Sequence, residues 1–240
     1  MTTAVRERAK PIMFSAPMVR ALLAGTKTMT RRVLKPQAHH YNCDLLDPHV
    51  LYPCAEGDVF GDVNKSIRCP YGVAGDRLWV REAWRAPVRF DCYKPSDVPR
   101  EAPLDWLADA PGGPANVGRY RHARFMPRWA SRITLEVEAV RVERLQAITE
   151  EDAKAEGATK RGSLWSMDWS EVGRPSEWSA AARNEKTAVI VRGRCKPQPL
   201  TEQDIGLGTA RNAFGNLWDR INGKREGCSW DANPWTWVIS

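Results

Sequence analysis

The sequence predicts an α+β fold in which a small β-barrel carries a few helices at its mouth and several long loop insertions. Three observations predict it. Residues 132–145 alternate apolar and polar side chains and slip phase once, as a bulged or strongly bent strand does. The other strand-like stretches are short. The helical stretches are few, and segments rich in proline and glycine separate them. A layered α/β arrangement is the alternative.

The first predicted elements are a helix and a strand that directly follows it. Ser15 is placed to cap the helix, Pro17 lies in its first turn, and Gly25 is placed to end it. The residues KTMTRRVL then have a period of two, which predicts a strand over 27–34. An ordinary surface strand has this composition, because threonine favours extended backbone and arginine favours water. A polar wall of an active site has the same composition.

Two further strands are predicted from alternation. In the stretch GDRLWVREAW, Leu78 and Val80 share one face, while Trp79 and Arg81 share the other. The stretch NPWTWVIS at 233–240 predicts a last strand whose tryptophans belong to the core.

Two more helices are predicted from their caps and their apolar spacing. Thr149 and Asp152 have the spacing of a capping box, and Gly157 is placed to end this short helix. The later helix has apolar residues at i, i+3, i+4 and i+7, which are Phe214, Leu217, Trp218 and Ile221.

The chain of 240 residues is interpreted as a single domain over 1–240 with insertions at about 36–74, 86–118 and 158–200. The first two insertions are predicted to be irregular because they are rich in proline and glycine. The third mixes charge and tryptophan without a period, which predicts a segment that moves relative to the rest.

The composition favours a cytoplasmic protein that associates with polyanions. Lysine and arginine outnumber aspartate and glutamate by 36 to 29, and the formal net charge is +7. No stretch has the length of a membrane span, and the first residues lack the apolar run of a secretory signal. The six cysteines are scattered, which favours reduced thiols over a disulfide framework.

One loop-rich segment holds most of the residues that could bind zinc. These residues are His39, His40, Cys43, His49, Cys54 and Cys69. No C-x-x-C pair occurs among them, so scattered loop side chains are the preferred interpretation and a structural zinc is the alternative. The sequence therefore predicts no metal and no cofactor.

The stretch ALLAGTKTMTRR resembles the G-x-K-T-x-T-x-R signature of ASCH domains, which are barrels related to the PUA fold. Gly25, Lys27, Thr28, Thr30 and Arg32 occupy its positions. The resemblance extends in order through GDRLWVREAW, the strand and helix at 133–157, and the C-terminal FGNLWDRINGK and NPWTWVIS. The larger ASCH members of phages and prophages are the most similar, which implies a bacterial or phage-infected host cell.

One branch of that family, small bacterial amidohydrolases acting on N4-acetylcytidine, implies a catalytic set. Lys27 would be the general base, Thr30 the nucleophile, and Glu156 the residue that positions the lysine or the substrate amine. Glu156 ends a T-E-x-x-A-x-x-E pattern that begins at Thr149. A solvated surface glutamate is the alternative interpretation. This chain is more than twice as long as that branch, and its insertions leave the substrate open.

Further residues are candidates for binding a substrate or a nucleic acid. Arginine can pair with phosphate or a base edge, and tryptophan can stack on a base. Surface ion pairs and core tryptophans are the alternatives. The candidates are Thr28, Arg31, Arg32, Trp79, Arg81 and Glu82.

Two functions follow from these residues and from the resemblance. The first is an amidohydrolase that removes an acyl group from a modified cytidine. The second is a non-catalytic reader that binds RNA or DNA in the same pocket. A nuclease, reported for some ASCH relatives, is a third possibility without a specific feature here. The expected partner is a modified nucleoside or a nucleic acid, with no membrane.

Overall fold

The computed structural model describes residues 9–43, 50–55, 65–109, 116–161, 164–167, 190–191, 194–195 and 208–240. They form a mixed α+β structure with small sheets. In chain order the strands are β1 Lys10–Met13, β2 Thr30–Val33, β3 His40–Cys43, β4 Val50–Cys54, β5 Ile67–Arg68, β6 Arg77–Arg81, β7 Trp84–Arg85, β8 Asp105–Trp106, β9 Thr134–Glu136, β10 Val140–Arg144, β11 Thr159–Arg161, β12 Leu164–Ser166, β13 Ile190–Val191, β14 Arg194–Cys195 and β15 Trp235–Ile239. The described helices are α1 Ala16–Leu23, α2 Glu150–Ala155 and α3 Ala210–Asn222.

Two three-stranded sheets form the centre of the fold. In one, β6 lies between parallel β1 and antiparallel β9. In the other, β15 lies between antiparallel β10 and β2. Because β15 is central, residues on both of its faces are buried, including Thr236 and Trp237. Within the described residues these sheets remain separate and do not close into a barrel.

The long strand predicted over 132–145 is divided at a corner between the two sheets. β9 belongs to the first sheet and β10 to the second, and residues 137–139 lie between them. The Val137 N–H donates to Asp76 O at 2.9 Å, and the Glu138 N–H donates to Ser240 O at 2.7 Å. The phase slip in the sequence therefore marks the change of sheet.

The first two described helices begin after Ser15 and Thr149, as predicted, but Ser15 makes no side-chain capping hydrogen bond, and the cap of the third helix, Thr209, was not predicted. Ser15 precedes α1, Thr149 accepts a hydrogen bond from the Asp152 N–H, and Thr209 caps α3 in the same way. α2 and α3 pack together through a cluster that includes Ala153, Leu217 and Trp218. A second cluster lies between α1 and the central sheets and includes Ile12, Phe14, Val19, Leu78, Val137 and Trp237.

The predicted strand over 27–34 is wrong at its start, since β2 begins only at Thr30. The N–H groups of Thr26 and Lys27 donate to Ala21 O, and those of Thr28 and Met29 donate to Ala155 O. These residues thus satisfy their backbone donors on α1 and α2 and are not available for a sheet ladder.

The predicted insertions have different structures. The prediction of an irregular 36–74 segment is wrong in part, because β3, β4 and β5 form an antiparallel sheet there. The described parts of the 86–118 segment, 86–109 and 116–118, are mostly irregular, as predicted, but they pack Ala86 and Val98 against Trp84 and Met126. The predicted mobility of 158–200 concerns a segment that lies mostly outside the described residues. None of the described helices has the length and apolar character that a membrane crossing needs.

Candidate functional site

A tight connection between α1 and β2 brings Lys27 to the end of α2. Gly25 has φ +70°, a left-handed conformation that suits glycine, and it turns the chain out of α1. Gly157 has φ +101° just after α2, and a Cβ built there would be 3.5 Å from Lys27 Cβ. The two glycines therefore allow the 25–29 connection to lie against the C-terminus of α2.

The Lys27 ammonium is buried and makes three hydrogen bonds. Its Nζ donates to Glu156 Oε2 at 2.7 Å, to Glu156 O at 2.9 Å and to Met29 O at 2.8 Å. The side chains of Lys27 and Glu156 are 1% and 4% exposed. An ammonium has three donors, and these acceptors use all of them. Glu156 thus lies in a buried ion pair and not on a solvated surface.

Several charges act on the Lys27 amine in opposite directions. Burial lowers the pKa of Lys27, the charge and hydrogen bond of Glu156 raise it, and the Arg32 and Arg31 charges lower it further. The net pKa is below the ordinary value of 10.5. A neutral amine is therefore easier to form here than on an exposed lysine.

Thr30 is the first residue of β2 and lines a cavity of about 500 Å³ together with Lys27, Thr28 and Phe14. Thr30 is 9% exposed, and its backbone pairs with Ile239. Among the described residues, no hydrogen-bond partner occurs for its hydroxyl, Lys27 Nζ included. The structure thus places Lys27 and Thr30 at one cavity without a direct bond between them. Glu156 lines a second cavity, of about 270 Å³, that Thr30 also borders.

A chain of ion pairs extends from Glu156 to the surface. The Arg31 guanidinium has no exposed side-chain area and lies 3.7 Å from Glu156 Oε1. It donates to Asp152 Oδ2 at 2.5 Å and to Glu143 Oε2 at 3.1 Å. Arg141 also donates to Asp152, at 2.7 Å. Arg31 therefore holds the Glu156 side of the site in place, with its guanidinium bound to carboxylates.

Asp152 is expected to make stability depend on pH. Burial favours its protonated form, but hydrogen bonds and charge from Arg31 and Arg141 outweigh burial, so its pKa lies below 3.8. A lowered carboxyl pKa stabilises the fold above the unfolded-state pKa, and this stabilisation is lost as pH falls through the folded value. We expect Asp152→Asn to cost about 1.5–3 kcal/mol of unfolding free energy at pH 7. The cost should shrink below pH 3.8.

Urea unfolding at pH 7, 5 and 3 measures this difference. Asp231→Asn is the matched control, because Asp231 is exposed, and it should cost little at any pH. An Asp152→Asn cost that stays constant down to pH 3 would contradict the expectation.

The remaining predicted binding residues lie elsewhere. Trp79 is buried, with the Arg81 guanidinium 4.6 Å and the Arg128 guanidinium 5.6 Å from its ring centroid. Glu82 is 1% exposed and accepts two hydrogen bonds from Arg132, at 2.9 and 3.1 Å. Burial raises the pKa of Glu82, and the Arg132 hydrogen bonds oppose the shift. None of these side chains borders the cavity that Lys27 and Thr30 line.

Sequence reasoning missed Asp152 and Glu143 as parts of the site. Asp152 and Glu156 are four residues apart and so share one helix face, which is a signal that the sequence does contain. Glu143 had no such signal, because its position beside Arg31 depends on the pairing of β10 and β2 with β15.

Among the described residues, no cluster of three histidine, cysteine or acidic side chains could hold a metal ion. Cys54 and Cys69 are buried free thiols, and burial raises the pKa of Cys69. His49, also considered as a zinc ligand, lies outside the described residues. Comparisons with protein-family models, with curated proteins and with solved structures found no match to this chain.

Proposed function

We propose that this chain is an ASCH-like amidohydrolase that removes an acyl group from a modified cytidine. The observation that carries the proposal is the buried Lys27–Glu156 contact of 2.7 Å beside a cavity that Thr30 also lines. A lysine with a lowered pKa and a threonine hydroxyl that makes no hydrogen bond to the described residues are, at one cavity, the groups that covalent amide cleavage needs.

In the proposed reaction the Thr30 hydroxyl attacks the acyl carbonyl, and Lys27 takes the hydroxyl proton. Lys27 can do so only as a neutral amine, so its ammonium must first give up a proton, and Glu156 Oε2 is the nearest acceptor. The bond from N4 to the acyl carbon then breaks, and the cytosine amine leaves with the proton from Lys27. Water hydrolyses the acyl ester, which releases the carboxylate and restores Thr30.

An ASCH-like barrel is part of the same proposal. The arrangement of the two central sheets supports it, since one bent segment passes from β9 in the first sheet to β10 in the second. Bends of this kind join the sheets of small barrels.

A non-catalytic reader of RNA or DNA is the second candidate, and one surface favours it. Residues 116–135 contain five arginines and no acidic residue. Arg119 and Arg124 are exposed there, as are Tyr120 and Phe125 at 54% and 58%. Exposed cations next to exposed aromatic rings suit a phosphate backbone and its bases.

The test of the proposed function is release of acetate from N4-acetylcytidine by the purified chain. We expect the rate to rise with pH up to the lowered pKa of Lys27, because the neutral amine is the active form. If no acylated nucleoside or nucleotide is hydrolysed, the amidohydrolase proposal fails. Salt-sensitive binding to single-stranded RNA or DNA would then support the reader.

A further inference from the structure

A third cavity, of about 560 Å³, lies at the N-terminus of α1. Its walls come from the end of β1, from the first turn of α1 and from the 120–123 segment, and Arg32 lies in it. Within the part of the chain that the structure describes, no aspartate or glutamate lines this cavity. Arg32 therefore gives it a positive charge that no side chain of the wall neutralises.

The Arg32 guanidinium makes one hydrogen bond within the described residues. Nη2 donates to Met13 O at 2.7 Å, and the guanidinium carbon lies 5.1 Å from the Phe14 ring centroid. Nε is shielded from solvent and has no hydrogen-bond partner among the described residues. No carboxylate of the described residues lies within salt-bridge distance of Arg32. Arg32 is half-buried, so a bound anion would add charge-assisted hydrogen bonds that no carboxylate of the described residues now provides.

The start of α1 adds further donors at the same cavity. Ser15 precedes the helix, but its hydroxyl makes no capping hydrogen bond, and its Oγ is shielded from solvent and has no partner in the described ranges. Ala16 and Met18, in the first turn, line the cavity. First-turn N–H groups lack acceptors within the helix, and the positive end of the helix dipole favours an anion.

The Arg32 cavity is next to the Thr30 site. Arg32 and Met13 line both this cavity and the smaller one that Thr30 borders. Lys35 and Arg225 line that smaller cavity as well. The Arg32 cavity therefore adjoins the cavity that Thr30 and Glu156 border.

We propose that Arg32 and the N-terminus of α1 bind a phosphate group of the substrate. This phosphate site rests on the proposed function. It implies that the substrate of the Thr30 site is a nucleotide and not a neutral nucleoside. A planar guanidinium with free N–H groups matches the geometry of phosphate oxygens. The phosphate is either the monoester of a free nucleotide or a diester of an RNA chain.

Calorimetric binding to the full chain, at fixed ionic strength, tests this proposal. The ligands are cytidine, cytidine 5′-monophosphate and a short oligocytidylate without terminal phosphates. We expect at least one phosphorylated ligand to bind about tenfold or more tightly than cytidine, because charge-assisted hydrogen bonds are added. Preference for the monophosphate identifies a monoester, and preference for the oligonucleotide identifies a diester.

Three variants assign the effect to Arg32. Arg32→Gln should remove the preference for the phosphorylated ligand and leave cytidine binding unchanged. Arg32→Lys keeps the positive charge but loses the planar guanidinium, so it should retain part of the preference for the phosphorylated ligand. Arg100→Gln is the matched control, because Arg100 is exposed and does not line the cavity. Circular dichroism verifies the fold of each variant.

The proposal is overturned if neither phosphorylated ligand binds more tightly than cytidine to the wild type. It is also overturned if Arg32→Gln behaves like Arg100→Gln. If Arg32→Gln does not fold, the wild-type comparison and Arg32→Lys still decide. These binding measurements need no turnover. Phosphate binding without acetate release would therefore contradict only the proposed amidohydrolase activity. Acetate release without a preference for a phosphorylated substrate would contradict only the proposed phosphate site.

Discussion

Thr30→Ala is expected to lower acetate release from N4-acetylcytidine by about a thousandfold or more, because it removes the attacking oxygen. The fold should tolerate the change, since the Thr30 hydroxyl has no hydrogen bond to lose among the described residues. Thr30→Ser keeps a hydroxyl and should retain measurable turnover. Steady-state kinetics of the three proteins, with unfolding curves for each, make this comparison.

Thr26→Ala is the matched control for that experiment. Thr26 lies in the same connection, is exposed, and donates its hydroxyl to Ala21 O at 3.2 Å. We expect the Thr26→Ala variant to keep nearly full activity. Full activity of Thr30→Ala would show that Thr30 is not the nucleophile.

Lys27→Met is expected to lower the unfolding free energy by about 3–5 kcal/mol, because the buried Glu156 carboxylate loses its side-chain hydrogen-bond partner and keeps only the Arg31 charge at 3.7 Å. The double variant Lys27→Met, Glu156→Leu should recover much of this loss, since two apolar side chains need no charge compensation. Urea unfolding of both single variants and the double variant gives the coupling free energy. A double variant whose loss equals the sum of the single losses would rule out this coupling.

Lys10→Met is the control for the Lys27 experiment. Lys10 forms an ion pair with Asp76 at 3.7 Å, but the two side chains are 42% and 45% exposed. Its removal should cost at most about 1 kcal/mol. The two lysines thus separate the effect of burial from the effect of losing a positive charge.

The helix starts could be predicted from sequence because caps are local. Ser15 and Thr149 each mark the beginning of a helix within a few residues, and both predictions are confirmed. The start of β2 could not be predicted, because the acceptor for the Thr28 and Met29 N–H groups is Ala155 O, far away in sequence. A pattern of period two shows which residues can form a strand but not whether a ladder partner is present.

The strands within 36–74 were missed for a related reason. β4 contains Pro53, and β3 contains His40 and Asn42, so neither has the alternation of a half-buried strand. The pairing of Lys27 with Glu156 came from the family resemblance and not from spacing. The charges that connect this pair to Asp152 depend on which strands become neighbours, and the sequence does not contain that information in a local form.

The pairing of β2 with β15 has a consequence for synthesis of the protein. β2 holds Thr30, Arg31 and Arg32, and its ladder partner is β15, where Ile239 pairs with Thr30. At about 5–20 residues per second, a ribosome takes roughly 10 to 40 s to add the residues between these strands. During that time β2 has no ladder partner, and its polar residues cannot adopt their final arrangement. The cavity that Thr30 and Lys27 line is therefore complete only after β15 has left the ribosomal exit tunnel.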